Sequence, residues 1–516
     1  MTERLDVIVI GAGHNGLVCA ERLARAGRKV VVLERREQVG GMTETIEFAP
    51  GYRASACAQF LYDLPMSTVD ELGLVSHGLT MDPRPLDTVA LAPDTEPRVF
   101  SSNRTSTLPG MDASAWPAFR KHMLDLAGFI EHIKQRPPPK LHQRDRADLL
   151  GLAGMGLALR RLGTDDMREF LRLITSNVYD LLCEHFEDPV VRGAIGFDAV
   201  LGTHLGPRSP GSVLTLLHRW SRGGGPVQPI GGLGAVSSAL AASARAAGVH
   251  VRTESGVRNI NVHAGRAIGV TLNDGSTLEA QDIVSNVDPR RTLLDLVGAR
   301  HIDIGLARRF HRIRAKGTAA RMLLALDGLP EAPSGNDRLL RQRLVVAGDL
   351  DELERAYNPV KYGEFSPKPA LEISVPTLSD PALAPAGHHV VSITAQYAPL
   401  RPEGGWTTSR RDAFADAIRN TLDAALPGVA RHIVAEDLLV PDDLESRYGI
   451  TGGHWHHGEL ALDQFLFTRP VAFGAQYRQA LAGLTLCSAG AHPGGHVSGH
   501  AGRHAAAAIL RRGTES

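Results

Sequence analysis

A chain of 516 residues exceeds the roughly 250 to 300 at which a single hydrophobic core stops growing, so two intertwined domains are expected. Hydrophobic residues make up 43% and charged residues 22%, and no run comes near the roughly 20 apolar residues of a membrane span, which excludes a membrane-crossing helix. Fifty-six basic residues balance 56 acidic ones, so no long-range field favours nucleic acid or an anionic membrane, and small molecules are the expected partners.

Met1-Thr2-Glu3-Arg4 runs straight into a strand, which leaves no room for a signal peptide and predicts a cytoplasmic location. Leu5 to Ile10 carries Val7, Ile8, Val9 and Ile10 and reads as a parallel strand buried on both faces. Gly11-Ala12-Gly13-His14-Asn15-Gly16 follows at once, and Leu17, Ala20, Leu23 and Ala24 then recur at helical spacing until Gly27. Lys29 to Leu33 makes a second strand that ends at Glu34. In such a unit Gly11 permits the tight turn, Gly13 lets a pyrophosphate approach the backbone, and Gly16 lets the helix lie close to the strand with its free N–H groups facing phosphate. Glu34 would accept hydrogen bonds from a ribose hydroxyl and repel a 2′-phosphate, which points to FAD or NAD rather than NADP. The doublet Gly40-Gly41, followed by Met42, allows a second stretch of backbone to close over a long, buried cofactor; Arg35 beside it is either a cofactor contact or a solvated side chain.

From 75 to 225 the chain looks largely helical, with helices predicted over Ala113 to Gln135 and Leu149 to Leu162 and a break at Pro137-Pro138-Pro139. Gly231-Gly232-Leu233-Gly234 opens another helix, but Gly223-Gly224-Gly225-Pro226 before it reads as loop, and no acid follows on a second strand. A second nucleotide site for NAD(P)H is therefore not expected. Strands are predicted over Val249 to Arg252, Val257 to Val262 and Arg266 to Leu272, with a hairpin signal at Asn273-Asp274-Gly275. Later come strands at Met322 to Leu326, Leu371 to Val375, His389 to Ala395 and Leu484 to Cys487, then a glycine loop and a helix from Val497 to Leu510. Cys19, Cys57, Cys183 and Cys487 stand singly, without Cys-x-x-Cys or metal-knuckle spacing, and read as core filling.

Further motifs extend the pattern: Gly51-Tyr52-Arg53, Ser285-Asn286-Val287-Asp288-Pro289, His457-Gly458-Glu459-Leu460, Asp463-Gln464, and a closing Gly490, His492-Pro493-Gly494-Gly495, Gly499 and Gly502-Arg503. Together with the amino-terminal glycines, these motifs resemble the phytoene desaturase-like FAD-dependent oxidoreductases over nearly the whole chain. The resemblance implies an α/β fold in which a glutathione-reductase-type Rossmann FAD-binding domain is interleaved with an α+β substrate domain. The first would be drawn from 1–74, 226–294 and 471–516, the second from 75–225 and 295–470. It further implies non-covalent FAD held by Gly11, Gly13, Gly16, Glu34, Arg35, Gly40, Gly41 and Met42, by backbone near Val257 at the adenine, and by Gly490, Gly494, Gly495 and Val497 of the closing motif. The amino end of the last helix would face the flavin pyrimidine and favour negative charge on the reduced ring.

The histidines depart from the family pattern. Gly452-Gly453-His454-Trp455-His456-His457 stands where relatives have Gly-Gly-Asn before the His-Gly-Glu-Leu stretch, and His496, His500 and His504 replace a glycine, a small residue and an asparagine. An imidazole with the ordinary pKa near 6.5 can take a proton from an amine or a carbon acid, which makes His457 and His496 candidate catalytic residues, with packing or hydrogen bonding as their alternative role. His500 and His504 lie four apart on one helix face, yet spacing places no carboxylate or third ligand beside them, so no metal is expected. The expected function is an FAD-dependent dehydrogenase or oxidase that removes hydride from a C–H or C–N bond of a small organic substrate, leaving C=C or C=N, with oxygen or a quinone as electron acceptor. A redox-neutral double-bond isomerase and an FAD-containing binding protein remain as alternatives. Only 5% of the chain is aromatic, which favours a small amine or alicyclic compound over a long polyene.

Overall fold

The computed structural model describes residues 5–101, 105–140, 146–223, 225–472, 474–477 and 481–511. Met1 to Arg4, read above against a signal peptide, and Gly224 of the glycine-rich loop lie outside the described residues. The apolar run at the amino end forms strand β1 (Leu5–Ile10), the glycine turn leads into helix α1 (His14–Arg25), and strand β2 (Val30–Leu33) returns beside β1 in parallel. Every residue of β2 and the last four of β1 are buried, as continuous apolar strands require when helices cover both faces of a sheet.

A parallel layer runs in the order His250–Arg252, β2, β1, Thr277–Ser285, Leu484–Leu486. The first residues of Thr277–Ser285 turn away to pair antiparallel with Arg266–Leu272, which pairs in turn with Val257–His263. Helix α1 packs between Leu233–Ala246 and His500–Leu510, and Ile8, Leu17, Val32 and Leu486 are fully excluded from solvent in the shared core. Each such side chain contributes roughly 1.5–3 kcal/mol through burial.

A second sheet of seven strands runs in the order Ile433–Leu439, Ala319–Leu326, His389–Gln396, Leu371–Ser374, Arg343–Val346, Thr88–Leu91, Arg98–Phe100. It is antiparallel except where Arg343–Val346 meets Thr88–Leu91. Thr88–Leu91 and Arg98–Phe100 come from the stretch expected to be largely helical; strands of four and three residues are too short for alternation to register. The rest of that stretch is helical, and Asp112–Lys134, Val178–His185, Pro189–Val200 and Ser212–Trp220 close around Trp116, Phe119, Phe186 and Trp220.

The strands of the first sheet all lie in the segments 1–74, 226–294 and 471–516, and those of the second all lie in 75–225 and 295–470. One hairpin, Thr45–Ala49 with Tyr52–Ser55, comes from the first set but packs Ala49, Tyr52 and Ala54 against Leu323, Ala325 and Val390 of the second sheet. The last helix begins at His500 after Gly499 at φ +74°, not at Val497 as expected, because residues 496–499 are held in a loop. Among the described residues no helix is long and apolar enough to cross a membrane.

Candidate functional site

The glycine turn opens a cleft of about 240 Å³ whose wall includes Gly11, Gly13, Glu34, Arg35, Gly40, Gly41, Met42, Val257 and His457. Gly16 stands behind that wall. A Cβ there would collide with the Gly11 carbonyl oxygen, so only glycine lets α1 start this close to β1. Gly13 caps α1 without a side-chain hydrogen bond, leaving the first-turn N–H groups open to an anion. Gly40, at φ +119°, donates its N–H to the Ala12 carbonyl (2.9 Å) and folds the second glycine stretch onto the first.

Glu34 is buried and accepts from two backbone N–H groups, Ala12 at 2.9 Å and Arg36 at 3.0 Å. Those bonds fix its carboxylate at the end of β2 and leave lone pairs for ribose hydroxyls. Arg35 reaches across to the carbonyls of Ser446 (3.4 Å) and Arg447 (2.5 Å), so its guanidinium closes the cleft mouth. Sequence reasoning passed over two neighbours, His14 and Asn286, which also line the cleft. Inside the turn, His14 Nε2 and Asn15 Oδ1 are buried without a hydrogen-bond partner among the described residues. A phosphate-ready helix end, an anchored carboxylate and unpartnered polar atoms together fit an adenine dinucleotide.

A second cavity of about 110 Å³ shares His14, Met42 and Ala489 with the first, so the two lie side by side across a common wall. Its walls combine apolar side chains, Phe60, Leu201, Trp455 and Val497, with Gln59, Tyr62, Arg219, Glu372, His456 and His496. The His496 ring stacks on His218 at 5.1 Å between centroids and lies 5.6 Å from His456. Burial holds the His496 and His456 imidazoles well below the usual range; Lys134 and Arg219 add to this at His496, and His496, His454 and Arg469 at His456. Burial and the Arg469 charge lower His457 to about 3, and its Nδ1 has no hydrogen-bond partner among the described residues. Neither candidate keeps the pKa near 6.5 on which a base was expected: each sits neutral at ordinary pH, because it is desolvated near cations.

The closing glycines behave differently from the amino-terminal ones. Among the described residues, Gly490, Gly494 and Gly495 line neither cavity: a Cβ would meet Pro289 at the first and Arg469 at the second, and the His456 ring at 3.3 Å at the third. Arg469 is the residue that Gly494 accommodates. Its buried guanidinium donates to the carbonyls of Glu459 (3.0 Å), Gln464 (3.2 Å), His456 (2.5 Å) and Ala489 (2.9 Å), tying the histidine segment to the last loop. A lone arginine after a threonine carries no sequence signal of that role.

His500 corrects a second expectation. Spacing placed no carboxylate near it, but folding brings Asp63 and Glu131 within 4.8 Å of its ligand atom. Lys134 occupies the same cluster, with its ammonium bonded to Asp63 and 3.8 Å from Glu131, so a cation is already present.

Comparison with known proteins bears on this geometry. Residues 16–297 match the family described as flavin containing amine oxidoreductase. The chain is 33% identical to pyridine nucleotide-disulfide oxidoreductase domain-containing protein 2 of Mus musculus, across 98% of this chain and 93% of that protein. The chain belongs to the flavin containing amine oxidoreductase family. It is an FAD-dependent oxidoreductase with the glutathione-reductase-type fold, as its resemblance to the phytoene desaturase-like flavoproteins implied. Hydroxyneurosporene desaturase of Cereibacter sphaeroides is 30% identical over 95% of this chain and 93% of its own length. Cyclohexylamine oxidase from Brevibacterium oxydans IH-35A shares the fold, with a TM-score of 0.60 over 99% of this chain and 100% of that one at 17% identity.

Proposed function

We propose that this oxidoreductase takes hydride from a C–H bond of a small organic substrate held in the second cavity, while the neighbouring carbon or nitrogen gives up a proton to water, leaving C=C or C=N. The observation that carries the reading is the wall common to both cavities, formed by His14, Met42 and Ala489. When bound in the first cleft, FAD supplies the hydride acceptor. The chain's own residues do the rest. Gly11, Gly13 and Gly16 admit the pyrophosphate to the open end of α1, Glu34 takes the ribose, backbone at Gly40, Gly41 and Val257 closes over the cofactor, and Arg35 braces the mouth.

In the second cavity Phe60, Leu201 and Trp455 exclude water and press the substrate toward the shared wall. Neutral His496 serves as a hydrogen-bonding group that orients the substrate, while His457 stands in the wall of the first cleft; neither acts as a strong base, since an oriented C–H bond is sufficient for hydride removal. The segments 1–74, 226–294 and 471–516 act as the cofactor-binding domain, and 75–225 with 295–470 as the substrate domain. Oxygen or a quinone takes the electrons. The names of two similar proteins, a desaturase and an amine oxidase, support dehydrogenation as the reaction class.

The test is anaerobic incubation of the holoenzyme with a panel of amines, alicyclic alcohols and carboxylic acids, scored by loss of flavin absorbance. Bleaching by at least one compound, with a product two hydrogens lighter, is the expected result. A flavin that dithionite reduces but no compound does would refute the reading, and a product of unchanged mass with a shifted double bond would replace it with isomerisation.

A further inference from the structure

Gln59 lies in the wall of the second cavity and is 5% exposed. Its side-chain amide is held in one orientation: Oε1 accepts from the Arg321 guanidinium and from the Ser392 hydroxyl at 3.1 Å, while Arg321 also donates to that same hydroxyl at 2.6 Å. Reversing the amide would set its NH2 against the Arg321 guanidinium, which can only donate. With the oxygen so occupied, Nε2 remains a buried donor with no partner among the described residues. A buried amide donor left unpaired costs about 1–3 kcal/mol, which a ligand bearing an acceptor would recover.

The charge behind the amide points the same way. Arg321 is fully buried, and its hydrogen bonds go to neutral oxygens: the Ala56 and Ser55 carbonyls, Gln59, Ser392, and the Thr394 hydroxyl at 2.5 Å. The nearby carboxylates are already engaged. Glu372 accepts from Tyr62 (3.0 Å), Arg219 (3.0 Å) and Arg343 (2.7 Å), and Asp198 pairs with Arg343 (2.5 Å) and Arg219 (3.2 Å). Three guanidinium groups thus stand against two carboxylates around this part of the cavity, and the surplus positive charge is that of Arg321. A cationic ammonium group entering here would meet repulsion, whereas an anion would be attracted.

We propose that Gln59, oriented and polarised by Arg321, is the anchoring donor for a carboxylate on the substrate, so that the second cavity selects organic acids with an apolar body over amines of the same shape. The assignment rests on the second cavity being the substrate site. Cyclohexanecarboxylate and cyclohexylamine share a ring and differ in charge, with cyclohexanecarboxamide as the neutral arm. Each is titrated into the holoenzyme, and binding is read from the shift of the flavin absorption band and from the rise in Tm.

The expected order is carboxylate tighter than carboxamide, with the amine weakest. Gln59→Glu, which removes the donor and neutralises Arg321 without changing shape, should weaken carboxylate binding by about tenfold or more, and Gln59→Met should do the same. Retained flavin content and an unchanged far-UV spectrum verify that each variant folds. Equal or stronger binding of the amine, no response to any of the three compounds, or unchanged carboxylate affinity in both folded variants would each overturn the proposal. The oxidoreductase reading would survive those results if another compound bleached the flavin, and it fails separately if none does.

Discussion

The glycine turn at residues 11–16 and the glycine and histidine segment at 452–495 flank the same pair of cavities by opposite means. In the turn the glycines are themselves the surface: Gly11 and Gly13 line the cleft and Gly16 sets how closely the helix approaches. In the later segment Gly490, Gly494 and Gly495 make room for side chains, Arg469 and His456 above all, and it is His456, His457 and Ala489 that line the cavities. The first cleft is lined by glycine backbone together with His14 and His457, and the second by the packed imidazoles of His456 and His496.

Acid should have the largest effect, acting on several imidazoles of the later segment and on His14 of the turn. Burial, with Arg469 assisting, lowers His454 and His457 to about 3, and burial lowers His492 to about 4. The unfolded chain takes up protons at these positions below about pH 6.5 while the folded chain does not, so stability is fully present above that pH and falls progressively as the pH drops toward 3 to 4. Each histidine contributes a slope of about 1.4 kcal/mol per pH unit. Thermal melts between pH 7.5 and 4.5 should show a steep fall in Tm, and substituting His454 with Gln should flatten it. A Tm that rises on acidification would contradict the neutral-imidazole description.

Gly16→Ala should rank next. The added methyl group meets the Gly11 carbonyl, so a loss of about 3 kcal/mol and near-complete loss of bound flavin are expected, measured by urea unfolding and by the ratio of flavin to protein absorbance. Gly494→Ala combines φ +85° with a clash against Arg469 and should cost about 2 kcal/mol while leaving the amino-terminal turn intact. Its flavin content should therefore exceed that of Gly16→Ala at equal protein, and the opposite order would mean that both glycine sets grip the cofactor directly. The smallest effect belongs to Glu34→Gln, which keeps one acceptor oxygen and should weaken FAD binding by about tenfold in equilibrium dialysis.

Much of the fold was legible because its signals are local. The run from Leu5 to Glu34 contains its own strand, turn, helix and acid, and the expected strand at Arg266 to Leu272 appears with the same bounds. The edge strands at 88–91 and 98–100 escaped notice because so few residues carry no period. The last helix was predicted to begin at Val497, directly after the glycine loop, whereas it begins at His500 after Gly499. His457 and His496 line the first and second cavity respectively, but neither keeps the ordinary imidazole pKa expected of it, since burial beside Arg469, Lys134 and Arg219 is a property of the folded assembly.

By itself the sequence determined the glycine turn that opens the first cleft, because a turn that leaves its backbone open is specified by the absence of side chains at fixed, short spacing. Only the tertiary structure decided the second cavity. Gln59 meets Arg321 across 262 positions and Arg219 meets Glu372 across 153, and no periodicity spans such distances. What joins these residues is the requirement that buried charges and amides find partners, and that requirement can be evaluated only once the sheets have packed.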